Sequence, residues 1–168
     1  MKRYSNYVQR LERLLGNGSV VASDDPKGDC AAALDGEPSQ ELRRVISLKK
    51  RRGAGAFFTG SELARRAVPT RGGKRWRNAS YFDPACGVGD LLLAAARRLA
   101  VRGSLAETVE AWGAKLMGCD IHPEFIRATK VRLALLARER GARLYGAQVD
   151  LKTAFPLIEA GDGLAERR

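Results

Sequence analysis

No stretch of the sequence is apolar for long enough to span a bilayer. Lys2 and Arg3 are not followed by the apolar run of a secretory signal. A membrane-spanning or conventionally exported protein is therefore not expected. Cysteine is scarce. Cys30, Cys86 and Cys119 are odd in number, far apart and without a CxxC pair. That argues against a disulfide framework and a zinc site, and fits a reducing cytoplasm. The single histidine, His122, has no second ligand type clustered with it, so it reads as a helix-start residue rather than a metal ligand. There is no internal repeat and no Gly-Lys-Ser/Thr to make a Walker loop. Asn-Pro and Pro-Pro dipeptides are both absent.

What is present suits one folded domain: 168 residues, of which 45% are hydrophobic. The net charge of +11 is unevenly spread. Residues 41–77 hold twelve Lys or Arg and two Glu, while the remainder holds eighteen basic and seventeen acidic residues. A nucleic-acid partner is the functional expectation, because each neutralised phosphate releases condensed counterion. A solvated basic linker is the alternative for such a run.

Tyr4, Tyr7, Val8, Leu11, Leu14 and Leu15 recur at helical spacing, and Gly16-Asn17-Gly18 ends that helix. Residues 16–40, rich in small and polar residues with Pro26 and Pro38, predict a loop or mobile linker. Its acids Asp24, Asp25 and Asp29 lack the spacing of a calcium loop. Ser39 is placed to cap a helix from Gln40, with Leu42, Val45, Ile46 and Leu48 as its apolar positions. Ser61 is placed to cap another, carrying Leu63, Ala64, Ala67 and Val68. Strands are predicted at 79–83, 116–121 and 157–159. Helices are predicted at 90–101, 104–114, from Pro123 onward, and briefly at 151–155, with an extended piece near 143–149. The long helix should bury Phe125, Ile126, Thr129, Leu133, Leu136 and Ala137. Arg127, Lys130, Arg138 and Arg140 should lie mostly away from that face.

The chain is organised around Tyr81-Phe-Asp-Pro-Ala-Cys-Gly-Val-Gly-Asp-Leu-Leu-Leu93. It reads as a strand, a glycine turn and a helix start, which is how α/β proteins build a nucleotide-like site. A dinucleotide fingerprint would need a third glycine where Leu92 stands, and an acidic residue nearer than Asp120. NAD is therefore not expected. Asp120, at the end of the second strand, can accept hydrogen bonds from both hydroxyls of a ribose, with Ile121 beside a flat base. Alone, it would read as an acid ahead of a helix start.

Four elements in order make the reading specific: Gly55-Ala-Phe-Phe-Thr59, Asp83-Pro-Ala-Cys-Gly-Val-Gly89, Gly118-Cys-Asp-Ile-His-Pro123 and Gly161-Asp-Gly-Leu164. Residues 53–164 thereby resemble the amino-terminal half of the gamma-class adenine-N6 DNA methyltransferases, which include modification subunits of restriction systems. The resemblance implies a partial Rossmann-like α/β fold: a three-layer class I methyltransferase domain with only its first three strands, over residues 53–168. Residues 1–52 would form a helical, partly mobile N-terminal extension.

It also implies S-adenosylmethionine as cofactor and DNA as partner. Phe57, Phe58 and Thr59 would approach the methionine end. Asp83, Pro84, Ala85, Cys86, Gly87 and Gly89 would line the methionine and ribose region, Cys86 simply as a small residue. Asp120 would hold the ribose, Ile121 would pack on the adenine, and Asp162 would accept from its amino group. Two positions depart from the family pattern. Gly60 stands for a proline, which should loosen the approach. Val88 stands for a serine, which should remove a hydroxyl near the cofactor.

The family's Asn-Pro-Pro-aromatic element, which holds a flipped adenine for attack on the methyl group, is not in this sequence. No catalytic residue is therefore assigned. The expectation is a truncated fragment or one half of a split enzyme, inactive alone. A companion polypeptide would supply the rest, and one edge of the first strand would be left open. A non-catalytic cofactor- or DNA-binding module, or part of a protein or RNA methyltransferase, is the alternative.

Overall fold

A computed structural model describes residues 2–16, 26–53, 58–68, 78–144, 149–151 and 153–165. Among them are eight helices and a three-stranded parallel sheet. The order is α1 (Lys2–Gly16), α2 (Pro26–Leu34), α3 (Glu37–Val45), α4 (Leu48–Gly53), α5 (Ser61–Ala67), β1 (Tyr81–Asp83), α6 (Asp90–Ala96), α7 (Leu105–Gly113), β2 (Leu116–Asp120), α8 (Pro123–Glu139) and β3 (Ile158–Ala160).

The strands lie in the order β1-β2-β3. Tyr81 pairs with Leu116, Asp83 with Gly118, Gly118 with Ile158 and Asp120 with Ala160. Because side chains alternate along a strand, Leu116, Gly118 and Ile158 share one face. That face meets α6: a Cβ on Gly118 would lie 2.9 Å from Leu92 Cδ1. Beside α6 runs α8, which also packs on β2 and β3. The opposite face carries Phe82 and Met117 side by side. The Gly118 N–H bonded to the Leu157 carbonyl sets Leu157 next in that row. Phe82 is 52% exposed and Leu157 45%. Among the described residues, β1 pairs on one side only. Parallel sheets are normally covered on both faces; among the described residues, this row is partly exposed, with Met117 half-buried between Phe82 and Leu157.

The long helix α8 starts with Pro123 in its first turn and is buried nearly all round, including Ala128, Val131, Ala134 and Leu135. One hydrophobic cluster joins Tyr4, Val8 and Leu11 of α1 to Leu92 and to Leu136 of α8. The Arg138 guanidinium donates to the carbonyls of Leu14 (3.2 Å) and Leu15 (2.7 Å), capping α1. Arg140 does the same at the end of α6, donating to Ala96 (2.7 Å) and Leu99 (2.9 Å). These two arginines therefore turn inward to answer helix-end carbonyls, against the expectation that they face away.

Other expectations are corrected too. Residues 26–34 and 37–40 are helical rather than linker; 17–25 lie outside the described residues. The alanine run 31–33 is a strong helix former, and Ala33 and Leu34 are buried. Pro38 sits in the first turn of α3, where a missing N–H costs nothing, so α3 begins before Ser39. Gly60, not Ser61, is the N-cap of α5, and Leu63 is exposed. The helix after the glycine turn ends at Ala96, with tighter Arg98-to-Ala95 and Leu99-to-Ala96 bonds following. Within 151–155, no helix forms among the described residues. Phe155 takes φ 53° there and is buried. Of the extended piece near 143–149, residues 145–148 lie outside the described residues; Arg143 bridges to Ser104. Among the described residues, no helix is long and apolar enough to cross a membrane.

Candidate functional site

The three strands point their carboxyl ends the same way, and ligands of open α/β sheets bind beyond those ends. The segments singled out in the sequence meet there. Gly87 and Gly89 take φ of 53° and 84°, left-handed values that favour glycine. Space is short as well: a Cβ on Gly87 would lie 3.0 Å from the Phe58 ring, and one on Gly89 only 2.6 Å from Thr129 Cγ2. Phe58, half-buried, is held in turn by an edge-on contact with Phe125 at 5.0 Å. Thr59 is exposed beside it. Phe57, assigned to the same approach, lies outside the described residues.

Asp120 ties β2 to the turn. Its Oδ2 accepts the Gly87 N–H at 3.0 Å and its Oδ1 accepts the His122 N–H at 2.8 Å. The residue is only half-buried, and a carboxylate has about four acceptor positions. Two thus remain for a ligand's donors. Ile121 next to it is 60% exposed. The Cys86 N–H bonds to the Cys119 carbonyl at 2.8 Å, closing the turn onto β2.

The stretch after β3 crosses to the same place. The Gly161 N–H donates to the Asp120 carbonyl at 2.9 Å. Asp162 is exposed, and its Oδ1 accepts the Leu164 N–H at 2.9 Å. Gly163 lies against Pro84 so closely that a Cβ would be 2.2 Å from the Pro84 oxygen. Pro84 is half-buried and Ala85 exposed.

Asp83, Asp120 and Asp162 give the crevice a negative character. Burial raises the Asp83 carboxyl above its ordinary range; the Ala85 N–H at 3.2 Å opposes this, and Asp120 and Asp90 add to it. Burial, with Asp83 and Asp120 nearby, pushes the Cys86 thiol up to about 12. Cys86 is therefore a neutral small side chain at physiological pH, not a nucleophile.

Two expectations about departures change. The Gly60 N–H donates to Asp90 Oδ2 at 2.9 Å, and Gly60 takes φ 80°. A proline has neither that donor nor that conformation, so glycine here fixes the approach instead of loosening it. Val88 is buried in the core and does not line the crevice.

Residues not assigned from the sequence also build the site. Asp90, Thr129 and Arg132 are buried polar side chains under the turn. Thr129 Oγ1 donates to the Gly87 carbonyl at 3.0 Å. Arg132 Nη1 donates to the Val88 carbonyl at 2.5 Å and to Asp90 Oδ1 at 2.9 Å. The readable signal was position: 125, 129, 132 and 136 share one helical stripe, so a charge at 132 falls on the buried side.

No family model, curated protein or solved structure matches this chain.

Proposed function

We propose that this chain is the S-adenosylmethionine-binding portion of a DNA adenine-N6 methyltransferase, working in a cytoplasmic setting. The observation that carries the reading is the meeting of four separated segments at the carboxyl ends of the strands. Phe58 lies on Gly87, Asp120 holds the Gly87 N–H, and Gly163 abuts Pro84. Their order and residue types are those of the four family-like elements.

The donor set fits the cofactor. Asp120 has acceptor positions left for ribose hydroxyls, and exposed Ile121 offers an apolar surface to adenine. Asp162 keeps an oxygen for an amino donor. S-adenosylmethionine carries a sulfonium and an ammonium, which suit carboxylate walls. A polyphosphate nucleotide would be repelled by the same walls. When bound, the cofactor supplies an electrophilic methyl group. The chain's own residues bind and orient it, and the group that presents the acceptor adenine comes from polypeptide outside these 168 residues.

Two further features support the reading. The exposed Arg43, Arg44, Lys49, Arg52, Arg65 and Arg66 on α3, α4 and α5 suit a phosphate backbone. The exposed Phe82 and Leu157, flanking half-buried Met117 beside a β1 that pairs on one side only among the described residues, suit a covering layer from a companion polypeptide or a further stretch of a longer chain.

Titration calorimetry with S-adenosylmethionine tests the proposal. One-to-one binding is expected, with no heat from ATP or NAD. Absence of heat in protein that melts cooperatively would refute it. These 168 residues alone should transfer no methyl group to DNA.

A further inference from the structure

Arg132 is a fully buried guanidinium. Such a group is costly unless its donors are answered, and here they reach two separate segments, with Asp90 extending the link to a third. Nε donates to the Ala33 carbonyl at 2.7 Å, and Nη2 reaches the Asp35 carbonyl at 3.5 Å, both at the end of α2. Nη1 holds the Val88 carbonyl and Asp90 Oδ1. Through its other oxygen, Asp90 holds the Gly60 N–H. One helical turn earlier, Thr129 holds the Gly87 carbonyl. Two successive peptide planes of the glycine turn are thus pinned to α8, because a peptide unit is rigid and its carbonyl direction sets its N–H direction.

We propose that Arg132, through Asp90, is a positioning residue that locks the 58–60 approach, the 87–89 turn and the end of α2 into one arrangement, so that the docking of α2 sets ligand affinity in the crevice. Only the ligand part of this inference rests on the S-adenosylmethionine reading. A planar fork with five donors answers four oxygens on two segments at once; an ammonium has three donors at a single point and cannot span them. An apolar pair of the same volume would leave the Ala33 and Val88 carbonyls and the Gly60 N–H unanswered, so the ion pair is tied to the backbone it holds. The arrangement also makes residues 33–35, far from the crevice in sequence, part of its support.

The test is amide hydrogen exchange on the full chain without ligand, followed by calorimetry with S-adenosylmethionine. Two variants are compared with wild type. Arg132→Lys keeps the charge beside Asp90 but loses the fork. Ala31→Gly/Ala32→Gly loosens α2 at two exposed positions and leaves every side chain of the clamp in place. In both variants, exchange at Gly60 and Gly89 should rise on the order of tenfold together with that of α2, while α7 amides keep their wild-type rates. Affinity should fall about tenfold. Wild-type exchange at Gly60 and Gly89 in the α2 variant, or an equal rise everywhere, would overturn the proposal. If Arg132→Lys does not fold, the α2 variant decides alone. If wild type binds no S-adenosylmethionine, the proposed function fails, and the exchange pattern still decides the clamp.

Discussion

Gly163 and Pro84, seventy-nine residues apart in the chain by their numbering, touch so closely that the glycine has no room for a side chain. The obstacle is a backbone carbonyl, which cannot swing aside as a flexible side chain would. Gly163→Ala should therefore push the stretch after β3 away from the turn. The expected cost is roughly 1–3 kcal/mol of stability, as for other overpacked sites, read by urea denaturation. S-adenosylmethionine affinity should weaken in parallel, because Asp162 moves with its neighbour. An unchanged urea midpoint would show that the contact is loose enough to admit a methyl group.

Asp120 has two jobs that substitution can separate. Asp120→Ala leaves the N–H groups of Gly87 and His122 without an acceptor, and should cost about 2 kcal/mol by denaturation. Asp120→Asn keeps one side-chain oxygen and should cost less. Both should lower S-adenosylmethionine affinity, the alanine variant by roughly 100-fold, the scale of two lost charge-assisted bonds. An alanine variant that is destabilised yet binds as wild type would confine Asp120 to a structural role.

Asp83 gives a pH test with a definite sign. Burial raises its carboxyl in the folded protein above the ordinary value. The folded state therefore holds that proton more tightly than the unfolded one. The resulting stabilisation is complete below the unfolded pKa and is lost as pH rises through the folded one. At neutral pH the ionised carboxylate is a burden, so Asp83→Asn should raise the melting temperature of the ligand-free protein. The gain should shrink as pH falls towards about 4, the ordinary aspartate range. A gain that is constant with pH would point to a cause other than ionisation.

The partly exposed row on the sheet should govern self-association. Phe82→Lys places a charge on a side chain that is already 52% exposed. Stability should change by no more than about 0.5 kcal/mol. Sedimentation velocity should show less association of the isolated chain than for wild type. If a partner layer covers this face, the same variant should weaken its capture. Unchanged association in the isolated chain would mean that the row is not the sticky surface.

Much of this site was legible because its signals are local. Two glycines after Asp83-Pro84, an acid ending a strand at Asp120, and a proline opening a helix at Pro123 each declare themselves within a few residues. The alanine-rich α2 resembles a linker in sequence because small residues occur in both loops and helices. Burial of Ala33 and Leu34 decides between them, and burial is not written locally. Arg132 was missed because a charge on a helix defaults to solvent. Its buried place depends on carbonyls of Ala33 and Val88 that come from two other segments. The contact between Gly163 and Pro84 is likewise an encounter between distant parts, and neither residue type announces it.

The bonds that define the crevice join residues 30, 33 and 42 positions apart, from Gly60 to Asp90, Gly87 to Asp120 and Gly87 to Thr129. The wall after β3 comes later still. During synthesis, then, a nascent chain has no crevice until residue 163 has left the ribosome. The helices made before that point can already form, yet the crevice still lacks its last wall. A ligand that binds here would act on the finished object alone, pulling late-formed contacts into place by mass action.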